Sequence, residues 1–220
     1  VNQPISNNNQ EIEPKKEEVL LNSKASLTKD NFTLTNFTLT KENINGADIV
    51  TIFMGINDWA NATKNFYSLG TLGSDDTSTI YGAVDMWCRR IKELQELEEF
   101  KDTKFYFMTP VITSWNNSVT SAQSWDQTKT NICGYTLRDL CDAIIETSSL
   151  YEIPVLDLNY YSGIYYISSE DNNVSETGGD GVHPSPKGHS YIADAIAIFL
   201  LDNPTYVNSK EAIEYLLKNE

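Results

Sequence analysis

The stretch Ala47-Asp48-Ile49-Val50-Thr51-Ile52-Phe53-Met54-Gly55-Ile56-Asn57-Asp58-Trp59 decides the fold. From Ala47 to Met54 it is a nearly continuous run of β-branched and aromatic side chains, the composition of a strand buried on both faces. Strands of that kind belong to parallel sheets with helices on either side. The run stops at Gly55 and hands over to Asn57 and Asp58, so polar residues stand at the carboxyl end of a central strand. Open α/β sheets bind their ligands at that edge.

Downstream, strands and helices alternate. A long loop with Gly70, Gly73 and Asp75-Asp76 leads to a helix over about 78–100, whose Ile80, Val84, Trp87, Ile91 and Leu94 keep helical spacing. Lys104 to Thr109 reads as a second strand stopped by Pro110, and Val111 to Asn131 as a Trp/Ser/Asn-rich loop at the same edge. A helix over about 135–151 and a third strand, Ile153 to Leu158, follow. A Tyr-rich loop (Tyr160, Tyr161, Tyr165, Tyr166) then leads to a last core helix carrying Ile192, Ala195, Ile196 and Phe199. The alternation predicts a three-layer αβα, flavodoxin-like α/β domain with a parallel sheet over residues 29–204. Three core strands are few, so the domain is expected to be short of a strand or two at its amino end. Residues 1–28 are polar and biased and read as a flexible linker. The duplicated Asn31-Phe-Thr-Leu-Thr35 and Asn36-Phe-Thr-Leu-Thr40 suit an extended segment. Residues 205–220 are expected to hold a small terminal helix.

Composition excludes several functions. Sixteen basic against thirty-one acidic residues leave a net charge of −15, a surface that repels phosphate backbones, so no nucleic-acid partner is expected. No apolar run is long enough to span a bilayer. The three cysteines (Cys88, Cys133, Cys141) lack metal-ligand spacing, and with only two histidines (His183, His189) no metal or other cofactor is expected. No Gly-rich phosphate loop opens a helix, which argues against a nucleotide or flavin binder. The acidic, Asn-rich leader suggests export, to the cell envelope or beyond.

A second stretch carries chemistry: Gly178-Gly179-Asp180-Gly181-Val182-His183-Pro184-Ser185-Pro186. Its glycines allow a sharp turn, and Ser185 with Pro186 makes a good N-cap and first helical position. A loop thus delivers Asp180 and His183 to the start of a helix. There a carboxylate can accept from the imidazole Nδ1–H and leave Nε2 as a general base.

Together these stretches resemble the SGNH (GDSL-type) esterase and acylhydrolase family. Gly55-x-Asn57-Asp58 resembles its third block, and Asp180-x-x-His183 followed by Pro184 resembles its fifth. The resemblance covers roughly residues 45–202. It implies that Asn57 donates into an oxyanion hole, His183 is the general base, Asp180 orients it, and Asp58 is structural. It also puts Gly55 and Trp59 at the substrate site, although Trp59 reads equally as a packing residue. His189 reads as a packing or surface residue of the last helix. The implied activity is hydrolysis of small acyl esters, acetyl among them, on a small molecule or a glycan. The aromatics Trp115, Trp125, Tyr160, Tyr161 and Tyr165 suit stacking on sugar rings and equally suit an acyl chain. One departure stands out: the family's nucleophile lies in a Gly-Asp-Ser block, and no Gly-Asp-Ser occurs here. Gly73-Ser74-Asp75 is nearest in composition but reversed and placed after the Asn block. The expectation is therefore that the nucleophilic Ser lies outside this chain, the alternative being a fold that has lost it and only binds carbohydrate or serves as a scaffold.

Overall fold

The computed structural model describes residue 34 and residues 39–62, 67–115, 125, 126, 128–164 and 181–203. The expected linker, most of the duplicated pentapeptide, the terminal helix, Asp180, Tyr165 and Tyr166 lie outside the described residues. In chain order the elements are α1 (Lys41–Ile44), β1 (Ile49–Phe53), α2 (Ile56–Ala60), α3 (Ile80–Gln95), β2 (Lys104–Met108), β3 (Ser114–Trp115), β4 (Trp125–Asp126), α4 (Leu137–Ser149), β5 (Val155–Leu156), α5 (Leu158–Tyr161) and α6 (Pro186–Asp202).

The three-stranded sheet has the order β1-β2-β5, all parallel. Ile49 pairs with Lys104 and Phe53 with Met108, while Phe107 pairs with Val155 and Met108 with Leu156. Paired residues of neighbouring strands point to the same face. Val50, Ile52, Phe105 and Phe107 therefore share one face. They join Val84, Trp87, Ile91 and Leu94 of α3 and Leu137, Leu140 and Ile144 of α4 in the larger core cluster. Met108 and Leu156 point the other way and pack with Val111, Leu158 and Ile164 against Ile192 and Ala195 of α6. The fold is the expected αβα arrangement.

The helices start where side chains can satisfy their first N–H groups. Thr79 Oγ1 accepts from Gly82 N at 3.2 Å to open α3. Thr136 and Asp139 form a reciprocal capping box on α4, with Thr136 N donating to Asp139 Oδ2 at 2.7 Å. Ser185 Oγ accepts from Gly188 N at 3.1 Å, with Pro186 at the first position of α6, as its sequence indicates.

Four expectations are corrected. β1 is the edge strand of this sheet among the described residues rather than a central one, since it pairs with β2 alone, and α6 packs over β2 and β5 instead of over it. Ile49 and Phe53, on that face, remain 38% and 45% exposed. α3 ends at Gln95 instead of continuing to about residue 100. From there single turns, Leu97 N to Leu94 O and Phe100 N to Leu97 O, reverse the chain into β2. The Val111–Asn131 loop contains a two-residue antiparallel ribbon, with Ser114 opposite Asp126 and Trp115 opposite Trp125. β5 is short, since Pro154 has no N–H to give the ladder and the chain coils into α5 directly after Leu156.

Candidate active site

The site begins with the turn at Gly55. Its φ of +116° lies where only glycine is comfortable. A Cβ there would stand 2.8 Å from Leu140 Cδ2 and 3.4 Å from Pro110 Cγ. The turn lets β1 run straight into α2, in which Asn57 is the second residue and half-buried. The short helix is closed by Trp59 N donating to Gly55 O at 3.0 Å. Asn61 donates to Asn57 O through both its backbone N and its Nδ2, each at 2.9 Å.

The neighbours of Asn57 hold this shelf from behind. Asp58 is fully buried, and its Oδ2 accepts from Leu34 N at 2.9 Å, while Trp87 Nε1 donates to Leu34 O at 2.8 Å. That is the structural role expected of Asp58. Trp59 is also fully buried. Its Nε1 donates to Tyr135 O at 3.2 Å, and its carbonyl accepts from Asn131 Nδ2 at 3.0 Å. The indole is thus packed inside the protein, with no surface of its own at the carboxyl edge. Tyr135 is pinned in turn by its hydroxyl donating to Tyr67 O at 2.6 Å, and burial pushes its phenol above the ordinary range. Gly55 is itself buried, so it shapes the site through its backbone turn.

His183 arrives from the other end of the chain. It is exposed and sits two residues before the N-cap Ser185, in a loop where Gly181 takes a φ of +70°. The direction of α6 fixes where this loop lies. Tyr106 Oη, in the middle of β2, donates to Asn203 O at 2.8 Å, just past the end of α6, whereas Met108 at the end of β2 clusters with Ile192 near the start of α6. The 17-residue helix, about 25 Å long, therefore runs antiparallel to β2, and its amino end lies at the carboxyl edge of the sheet. Asn57 leaves β1 at the same edge. The fold thus brings Asn57 and His183 to one edge, while Asp180 lies outside the described residues. His189 is exposed in the first turn of α6.

Sequence reasoning passed over a polar cluster beneath this edge. Thr109 and Asp157 are the first polar residues after β2 and β5, and Thr109 Oγ1 donates to Asp157 Oδ1 at 2.9 Å. Arg138 Nη1 donates to Asp157 Oδ2 at 2.7 Å, and its Nε to Asp142 Oδ1 at 2.8 Å. Thr109 Oγ1 also accepts from Asn159 N at 3.1 Å. Burial would lower the pKa of Arg138, but the hydrogen bonds to Asp142 and Asp157 outweigh it and hold the guanidinium above its usual range. The signal was a Thr and an Asp each following a buried strand, with an Arg early in the intervening helix.

No described thiol is placed as a nucleophile. Burial pushes the Cys88 thiol up to about 12 and raises Cys141 and Cys133 as well, so all three stay protonated near neutrality. Ser74 Oγ is occupied in its own loop, accepting from Asp76 N at 3.1 Å. Among the described residues no three His, Cys, Asp or Glu side chains gather as a metal site would require, and no helix is long and apolar enough to cross a membrane.

The described residues thus form a parallel α/β domain with Asn57 after a glycine turn and His183 before the last helix, both at the carboxyl edge. The chain belongs to the GDSL-like lipase/acylhydrolase family, whose model matches residues 5–196. Solved structures agree on the fold. One crystal structure is 31% identical, covers 73% of this chain and 68% of its own, and superposes with a TM-score of 0.60. A protein from Lactobacillus plantarum is 25% identical over 72% of this chain and 68% of its own, with a TM-score of 0.56. A structure described as a possible lipase, from Chitinophaga pinensis, is 19% identical over 80% and 81%, with a TM-score of 0.55. No curated protein matched the chain.

Proposed function

We propose that this chain carries the oxyanion-binding and general-base half of a serine ester hydrolase acting on small acyl esters, acetyl groups on carbohydrate among them. The observation that carries the reading is the shared edge: the Gly55 turn sets Asn57 at the carboxyl end of β1, and antiparallel α6 sets His183 at the same end. In the proposed cycle a serine hydroxyl from outside residues 1–220 attacks the acyl carbonyl. His183 takes the hydroxyl proton, with Asp180 orienting the imidazole, and Asn57 Nδ2–H donates to the oxyanion. The alcohol leaves with the proton that His183 returns, and water then repeats the sequence on the acyl-enzyme to release the acid.

A second reading, a fold that binds carbohydrate without turning it over, is favoured by one observation, the absence of Gly-Asp-Ser from the chain. Aryl-acetate hydrolysis separates the two. A form of the protein extended upstream of Val1 by its reading frame should turn over the ester. His183→Ala should abolish that turnover while leaving the fold intact. Wild-type kcat/KM in His183→Ala removes His183 from the mechanism, and no turnover by the extended protein favours the binding-only reading.

A further inference from the structure

α5 is split cleanly between anchor and display. Leu158 is fully buried and Asn159 is 5% exposed, whereas Tyr160 and Tyr161, next in the chain, are 75% and 67% exposed. The backbone beneath them is tied down. Tyr160 N and Tyr161 N donate to Asp157 O at 3.1 and 2.8 Å, and Asn159 N donates to the Thr109 hydroxyl of the cluster that clamps β2 to β5. The two rings stand edge to face, with centroids 4.8 Å apart and planes at 75°. One ring edge is therefore spent on its neighbour, and the corner they form faces solvent.

The position matters as much as the exposure. α5 follows β5 at its carboxyl end, and the chain leaving it packs on the first turns of α6. Leu158 and Ile164 share a cluster with Ile192, and a Cβ on Gly163 would lie 3.8 Å from Tyr191 Cγ. His183 precedes that same helix. Two large aromatics held in water on a rigid base, beside the edge that carries Asn57 and His183, are poised for a ligand that is itself wet.

We propose that Tyr160 and Tyr161 form the subsite for the alcohol half of the ester, and that this alcohol is a neutral pyranose oligosaccharide. The inference rests on the ester-hydrolase reading and names its substrate class. A pyranose has an apolar face of C–H groups that stacks on an aromatic ring and a rim of hydroxyls that keeps its water. An open pair of phenols, whose hydroxyls also hold water, matches both. A long acyl chain needs an enclosed aliphatic groove, whereas among the described residues the two phenols stand open to solvent and follow Asn159 and precede Ser162 and Gly163 in the chain. The net charge of −15 selects against an acidic sugar and against an anionic lipid surface.

Equilibrium binding tests this without any turnover, so its outcome is independent of the nucleophile. The chain would be titrated calorimetrically with hexaoses of β-1,4-linked xylose, glucose, mannose and N-acetylglucosamine, and with a fluorescent C12 acyl probe. At least one hexaose should bind. The Tyr160→Ala/Tyr161→Ala protein should bind it at least about tenfold more weakly, since stacking platforms concentrate binding in a few aromatic side chains. The Tyr160→Phe/Tyr161→Phe protein, which keeps both ring faces, should retain binding. The proposal is overturned if no hexaose binds, if the alanine pair binds as wild type does, if the phenylalanine pair loses as much as the alanine pair, or if the acyl probe alone binds. Sugar binding that depends on the tyrosines alongside failed esterase tests would keep this subsite and remove only the hydrolytic reading.

Discussion

Gly55 is the residue on which the site turns, because one substitution there meets two penalties. A side chain at φ +116° is strained, and its Cβ would press on Leu140 at 2.8 Å. Gly55→Ala should therefore destabilise the fold by about 2–4 kcal/mol, read from urea unfolding; an unchanged midpoint would mean that the turn re-forms elsewhere. Asn57 makes the opposite kind of prediction. It is half-buried at the lip of the edge, and the effect expected of Asn57→Ala is on turnover. In the extended protein it should lower kcat by about 10²–10³ with KM nearly constant, as loss of an oxyanion donor does. A selective rise in KM would instead make Asn57 a ground-state contact. The buried thiols give the pH dependence. Cys88 is held protonated in the fold up to about 12 against an ordinary 9.0, with burial the main cause. The folded state thus keeps a proton that the unfolded chain releases, so this contribution is fully present below pH 9 and is lost as pH rises toward 12. Denaturant midpoints should fall across that window. At pH 8 a thiol reagent should find at most Cys133 in the native protein and all three cysteines once it is unfolded.

Among the elements, those with strong local signals were legible in the sequence. α3 announces itself through apolar spacing, and β1 and β2 through runs of β-branched and aromatic residues. The Ser185-Pro186 start of α6 was readable to the residue. What stayed hidden depends on tertiary company. β1 looked central because its composition suits burial on both faces, yet which strands flank it is not written in the strand. Trp59 looked available to substrate because a sequence does not show that Tyr135 and Asn131 close over it. α5 reads as loop in the sequence, since four residues after a two-residue strand carry no helical period. The clamp of Thr109, Asp157 and Arg138 is invisible locally, its members lying on three elements. It welds the carboxyl ends of β2 and β5 to α4. Asp157→Ala should cost about 1–2 kcal/mol, a modest figure because the Arg138 side chain is 36% exposed and solvent screens it. A loss of stability no larger than that of an exposed substitution such as Glu98→Ala would show that the clamp is dispensable.

At the scale of the whole molecule, the two core clusters are unequal. The α3/α4 side of the sheet is densely covered, while on the α6 side Ile49 and Phe53 stay partly in water, and Ile198 and Leu201 of α6 are 62% and 79% exposed. Asn57 and His183 stand at the carboxyl edge of the sheet, and the chain has no Gly-Asp-Ser. We propose that the nucleophile enters from outside residues 1–220. Intact-mass spectrometry after treatment with a fluorophosphonate tests this most directly, because the reagent marks only an activated serine. The account predicts no adduct on the 220-residue chain and a single adduct, on an upstream serine, in the extended protein. An adduct on the 220-residue chain, mapped to Ser74 or any other internal serine, would contradict it.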